Sequence, residues 1–174
     1  SIELMPKRLD TLLQDFNLIV KPHFFSITKS KYRSQRRAME RWQKNDNVYI
    51  CSAADFNLVP FMTVSDLMLS DASSAIFEFA ALDKPVIWCD FYKLRWSYRG
   101  LFKFRLKQRV DDDIHYFEKV GWRIDSPKLL LSAIQNALHE PEPKQVIRRE
   151  VIEQLAGRVD GLCAQRIVEY LFKH

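Results

Sequence analysis

Between Asp66 and Cys89 the chain passes through strand, tight loop, helix and strand with almost no spare residues, and few architectures accommodate that succession. Asp66-Leu67-Met68-Leu69-Ser70 is a short, largely apolar run, and Asp71-Ala72-Ser73-Ser74 is small and polar. Ala75 to Leu82 then carries apolar residues at helical spacing, Lys84-Pro85 stops the helix, and Val86-Ile87-Trp88-Cys89 is apolar throughout. A helix placed between two buried strands makes the strands parallel, because the crossover returns the chain to the end from which it started. The expected class is α/β with a parallel sheet and flanking helices.

The rest of the chain fits that alternation. Leu9, Leu12, Leu13 and Phe16 recur at helical spacing and predict a helix over Arg8–Phe16. Leu18-Ile19-Val20 reads as a buried strand that Pro22 ends, which leaves His23 at its carboxyl end. Lys31–Lys44 reads as a helix with Tyr32, Met39 and Trp42 facing inward and Lys31, Arg33, Arg36, Arg37, Arg41 and Lys44 on a solvated surface. Val48–Cys51 is a second strand, and Pro60–Val64 a short helix that begins where proline is tolerated. Gly121–Ile124 is a last strand, followed by helices over Pro127–His139, Lys144–Ala156 and Gly161–Phe172, with Pro141-Glu142-Pro143 as a linker.

The 174 residues suit a single domain spanning 1–174, and 47% hydrophobic with 13% aromatic residues excludes a disordered, collagenous or coiled-coil chain. The apolar stretch Leu67–Cys89 is interrupted by Ser70, Asp71, Glu78, Asp83 and Lys84, so it does not read as a membrane span. Glu3, Lys7, Arg8 and Asp10 occupy the place of a secretory leader's apolar core, and a start at Ser1 is expected of a fragment or processed product. Cys51, Cys89 and Cys163 have neither zinc-site nor redox-motif spacing, and reduced, buried thiols in a cytoplasmic protein are expected. A net charge of +5 favours anionic partners.

In an open parallel sheet, ligands sit beyond the carboxyl ends of the strands. His23 and the Asp71–Ser74 loop both fall there. A helix opening at Ser73-Ser74 would present backbone N–H groups and two hydroxyls, which suits phosphate, although Asp-Ser-Ser is also what a plain helix cap looks like. The chain's glycines are Gly100, Gly121, Gly157 and Gly161, and none opens a helix after a strand, which argues against Walker-type and dinucleotide loops. Asp111-Asp112-Asp113 lacks regular ligand spacing, so no metal site is expected. The segment Asp90–Arg109 interleaves Lys93, Arg95, Arg99, Lys103 and Arg105 with Trp96 and other aromatics, a pattern shared by membrane interfaces, single-stranded nucleic-acid surfaces and ordinary capping loops.

Three runs in this order and spacing carry a family resemblance: Val20-Lys21-Pro22-His23, Ser65 to Glu78, and Asp83-Lys84-Pro85-Val86-Ile87. Together with Arg99-Gly100 and Asp160 to Ile167 they resemble the C-terminal half of the CDP-glycerol glycerophosphotransferases, the teichoic-acid primases and polymerases. Ala72 stands where that family usually has tyrosine, Phe24 where proline commonly follows the histidine, and Glu78 where aspartate is usual. These departures bear on substrate more than on fold.

The resemblance implies a Rossmann-like, donor-binding half of a GT-B architecture, with an N-terminal acceptor half outside this chain. It implies an enzyme that transfers glycerol phosphate from CDP-glycerol to a hydroxyl of a lipid-linked or polymeric cell-surface glycan. Ser73, Ser74 and Asp71 would form the donor phosphate loop, His23 would contact the pyrophosphate or assist proton transfer, and Lys21 and Arg99 would balance phosphate charge. Lys93, Arg95, Trp96, Lys103 and Arg105 would face an anionic membrane, with the protein peripheral on its inner face. No cofactor is implied beyond the donor, CDP-glycerol or a related nucleotide-activated group. Two rivals are a GT-B nucleotide-sugar glycosyltransferase or epimerase, and a non-enzymatic basic module that binds anionic lipid or nucleic acid.

Overall fold

Isoleucine, valine and leucine lead the segments expected as strands, and in the computed structural model, which describes residues 4–5, 15–91, 114–139 and 143–173, these segments form parallel ladders. The strands are β1 (Leu18–Val20), β2 (Val48–Ile50), β3 (Met68–Ser70), β4 (Val86–Cys89) and β5 (Trp122–Ile124). β1 pairs with β2 in the register Ile19 to Tyr49. β3, β4 and β5 form a second ladder, with Leu69 opposite Ile87 and Trp88 opposite Arg123.

Eight α-helices lie among the described residues: α1 (Phe24–Thr28), α2 (Arg33–Trp42), α3 (Val59–Val64), α4 (Ala75–Ala80), α5 (Ile114–Val120), α6 (Leu130–Leu138), α7 (Gln145–Ala156) and α8 (Cys163–Lys173). Successive side chains of a strand point to opposite faces, and β4 separates the two halves of the core accordingly. Ile87 and Cys89 join Val20, Trp42, Ile124, Leu130 and Ile134, so α2 and α6 cover that face and both ladders contribute to it. Val86 and Trp88 join Ile76, Phe79, Phe117, Val120, Val151 and Ile152 of α4, α5 and α7 on the other. Burial on both faces is the condition of parallel α/β sheets, and all four β4 residues are buried. The arrangement is compatible with the expected Rossmann-like fold.

Two short turns lock the layers together. Gly121 stands against β4 so closely that an added Cβ would lie 2.8 Å from the Val86 carbonyl oxygen. Asp83 follows α4 with a φ of 58°, a left-handed conformation that aspartate tolerates better than most residues. From that turn its carboxylate accepts hydrogen bonds from Gln145 at 2.8 Å and from the Arg149 Nε at 2.9 Å, and its carbonyl accepts one from the buried Arg148. The next residue, Lys84, donates to the carbonyls of Thr63 (2.6 Å) and Ser65 (2.8 Å), so a cation closes the carboxyl end of α3.

Several elements differ from the sequence reading. The expected Arg8–Phe16 helix lies mostly outside the described residues, as do the linker residues Pro141 and Glu142. α5 has the i, i+3 pair Phe117 and Val120 buried, but seven residues between an aspartate run and a glycine give little periodicity to read. α1 is unexpected because Phe-Phe-Ser-Ile-Thr is rich in aromatic and β-branched residues that favour strands. Arg36, expected on the solvated face of α2, is half-buried and turned toward α1.

Two outcomes follow for stability. Gly121→Ala should cost about 1–3 kcal/mol in urea denaturation, since backbone of β4 must move to admit the methyl group. For Asp83, burial raises the carboxyl pKa, but the bonds from Arg149 and Gln145 and the charges of Arg149 and Arg148 outweigh it and hold it below its ordinary 3.8. That stability is present above the ordinary value and is lost as pH falls through the lowered one. Asp83→Asn, which keeps the left-handed turn, should therefore lower stability at about pH 7, and that deficit should shrink as the pH is taken below the ordinary carboxylate value and on through the lowered one.

Candidate functional site

Within each ladder the parallel strands deliver their carboxyl ends to one edge, where polar loops collect. On the β1–β2 ladder this edge holds Lys21 and His23 after β1, and Cys51 to Asp55 after β2. On the β3–β4–β5 ladder it holds Asp71, Ser73 and Ser74 after β3, with Asp90 after β4. The five expected site residues that fall among those described are thus all carboxyl-end residues, two on one ladder and three on the other. Arg99, and the basic and aromatic residues Lys93, Arg95, Trp96, Lys103 and Arg105, lie outside the described residues, as does Asp111–Asp113.

His23 is exposed and caps α1: its Nδ1 accepts a hydrogen bond from the Phe25 backbone N–H at 3.2 Å. That bond assigns the proton of the neutral ring to Nε2, leaving Nε2–H as the donor available to a ligand. The ring lies 5.0 Å from that of Phe25, over which the Lys29 ammonium sits at 3.6 Å.

Lys21 is half-buried, and its charge acts on both Cys51 and Asp55. The Asp55 carboxylate accepts bonds from the Ser52 N–H at 2.7 Å and the Ser52 hydroxyl at 2.9 Å. These bonds, with a smaller contribution from Lys21, hold its pKa below the ordinary carboxylate value. The sequence reading passed over this Ser52–Asp55 turn, whose only signal is a serine three residues before an aspartate at a strand's end.

The Ser-Ser loop corrects one expectation. The first amides of α4 are not left open: the Ala75 N–H bonds the Ser73 Oγ at 3.3 Å, the Ile76 N–H bonds the Ser73 carbonyl, and the Phe77 N–H bonds the Ser74 carbonyl. α4 is also only six residues long, too short to concentrate a large dipole. What the loop offers an anion is its hydroxyls. Ser73 accepts from the backbone and keeps its O–H to donate, Ser74 makes no side-chain cap bond, and both residues are exposed.

Asp71 lies close enough to the last residue of β4 to act on its thiol: burial first, then the Asp71 charge, pushes Cys89 up to about 12. A separate open hollow of about 390 Å³ lies at the opposite end of α4, lined by Ala81, Asp83, Arg149, Glu153, Arg158 and Asp160. Ion pairs that fasten α7 and α8 engage three of its charged residues: Arg149 with Asp83, and Asp160 with Arg166. No helix among the described residues is long and apolar enough to cross a membrane.

The carboxyl end of one ladder thus presents a histidine and a lysine, and that of the other presents two serine hydroxyls. The sequence places the chain more narrowly: it belongs to the CDP-glycerol:poly(glycerophosphate) glycerophosphotransferase family, which it matches over residues 6–173. This is a transferase family. Over 43 residues the chain is 44% identical to the teichoic acid glycerol-phosphate primase of Bacillus spizizenii strain W23, a match covering 25% of this chain and 11% of that protein. No solved structure matches.

The cysteines allow a direct check of the edge. All three thiols are free, and Cys51 and Cys89 are buried, whereas Cys163 is exposed, contrary to the expectation of buried thiols throughout. A chromogenic disulfide reagent should therefore titrate Cys163 quickly in the folded protein and reach Cys51 and Cys89, both raised by burial, only on unfolding.

Proposed function

We propose that this chain binds the nucleotide-activated donor in a glycerol phosphate transfer, with the pyrophosphate held along the carboxyl edge of the sheet. The observation that carries the reading is that the candidate donors all follow the carboxyl ends of strands in a chain of the glycerophosphotransferase family. His23 is tied through Nδ1 to the backbone and so offers Nε2–H, and the Ser73 and Ser74 hydroxyls stand in the loop after β3. Lys21 and Arg99 supply positive charge, and Asp71 shapes the loop. The donor best matched to the family is CDP-glycerol.

In this reading the acceptor hydroxyl oxygen attacks the phosphorus of the glycerol phosphate group. A new P–O bond forms as the bond to the CMP oxygen breaks, CMP leaves with the electron pair, and the hydroxyl proton passes to solvent. The protein's part is to fix the donor and spread the charge on its phosphate oxygens, the usual requirement of phosphoryl transfer. The acceptor is a lipid-linked or polymeric cell-surface glycan, presented by an N-terminal half that completes a GT-B cleft. Lys93, Arg95, Trp96, Lys103 and Arg105 supply the chemistry for peripheral attachment to the anionic inner face of the membrane.

Calorimetric titration with CDP-glycerol, CDP and a UDP-sugar tests the donor. CDP-glycerol should bind in preference to the UDP-sugar, and Ser73→Ala, Ser74→Ala and His23→Gln should each weaken it about tenfold, the worth of one hydrogen bond to a charged group. Stronger binding of the UDP-sugar would transfer the reading to a sugar-nucleotide enzyme. Binding that varies with salt but not with these substitutions would point to the basic module instead.

A further inference from the structure

α1 lacks what normally keeps a helix folded. It has five residues, well below the length at which a helix holds by itself, and only Ser26 within it is buried, while Phe24 is 58% exposed. Its two ends are where it is held. At the amino end His23 accepts the Phe25 N–H, and at the carboxyl end one guanidinium nitrogen of Arg36 gathers three carbonyls: Ser26 at 3.2 Å, Ile27 at 3.3 Å and Lys29 at 2.8 Å. The first two are last-turn carbonyls with no partner inside the helix. Arg36 can hold them because α2 is itself anchored, with Ala38, Met39 and Trp42 buried in the core.

We propose that Arg36 is a positioning residue for His23, transmitting the rigidity of the core through α2 to a helix whose sole functional product is the orientation and tautomer of that ring. The chain of contact runs from Met39 and Trp42, through the Arg36 guanidinium, to the α1 carbonyls, and through the α1 backbone to the Phe25 N–H that bonds His23 Nδ1. Without Arg36 the last turn loses its guanidinium cap, α1 frays, and the Phe25 N–H no longer stays in place to select the Nε2–H form. The consequence for donor binding rests on the reading of His23 given above; the structural role does not.

The test reads the ring itself. In ¹⁵N spectra of the unliganded protein, His23, assigned by its absence in His23→Gln, should show the Nε2–H tautomer. Arg36→Met should move it to the mixture of an unrestrained imidazole, while His115 and His139 stay unchanged as internal controls. Arg36→Lys keeps a cation that can reach fewer carbonyls, and should restore the shift in part; it also decides the matter if Arg36→Met does not fold. CDP-glycerol affinity should fall about fivefold to tenfold in Arg36→Met, the scale of a lost helix cap. The double variant with His23→Gln should bind no more weakly than His23→Gln alone.

An unchanged His23 tautomer in the folded Arg36 variants overturns the inference, and so does an additive loss of affinity in the double variant. If His23→Gln binds CDP-glycerol as the unaltered protein does while Arg36→Met still releases the tautomer, the donor-binding role of His23 falls and the positioning by Arg36 stands.

Discussion

Strand β4 must be dry on both sides, and the rest of the molecule is arranged to satisfy it. Its four residues send Ile87 and Cys89 into one half of the core and Val86 and Trp88 into the other. Fully burying side chains of this size is worth about 1.5–3 kcal/mol each, but only if both faces are covered at once. That requirement recruits α2 and α6 on one side and α4, α5 and α7 on the other, and it makes the neighbouring strands parallel. A carboxyl edge carrying polar loops is then a by-product of burying β4: parallel strands of one ladder end on the same side of it. The edge inherits its rigidity from residues that never meet a ligand.

How much of this could be read from the residues depends on whether the cause of each element lies inside it. The run from Asp66 to Cys89 was legible because its periods, breakers and small loop residues are all local. The two face assignments of β4 were not, since only the pairing register and the facing helices decide them. α1 shows the opposite limit. Its five residues favour strand geometry, and the group that makes them helical, Arg36, stands on another helix.

The candidate site divides in the same way. That His23, Lys21, Asp71, Ser73 and Ser74 would lie at strand ends followed from the order of elements. What each can still donate did not. Sequence pattern pointed to open amides at the start of α4, whereas the structure closes those amides with Ser73 and Ser74 and leaves hydroxyl donors in their stead. Likewise the bond from the Phe25 N–H turns His23 from a generic titratable ring into a group with one assigned donor nitrogen. Hydrogen-bond bookkeeping of this kind needs coordinates, because each bond depends on backbone atoms that a residue letter does not describe.

The tripeptide Asp83-Lys84-Pro85 is part of the pattern by which this chain resembles its family, yet among the described residues its bonds go to the scaffold. Asp83 binds α7, Lys84 binds the end of α3, and the Pro85 carbonyl accepts the Met68 N–H that starts the β3–β4 ladder. Three adjacent residues thus fasten three separate parts of the sheet's surroundings. A family signature can record the joinery of a scaffold as faithfully as it records chemistry, so a strain that loses function through a change in this turn would be reporting on architecture, and its defect should be sought in how much folded protein the cell retains.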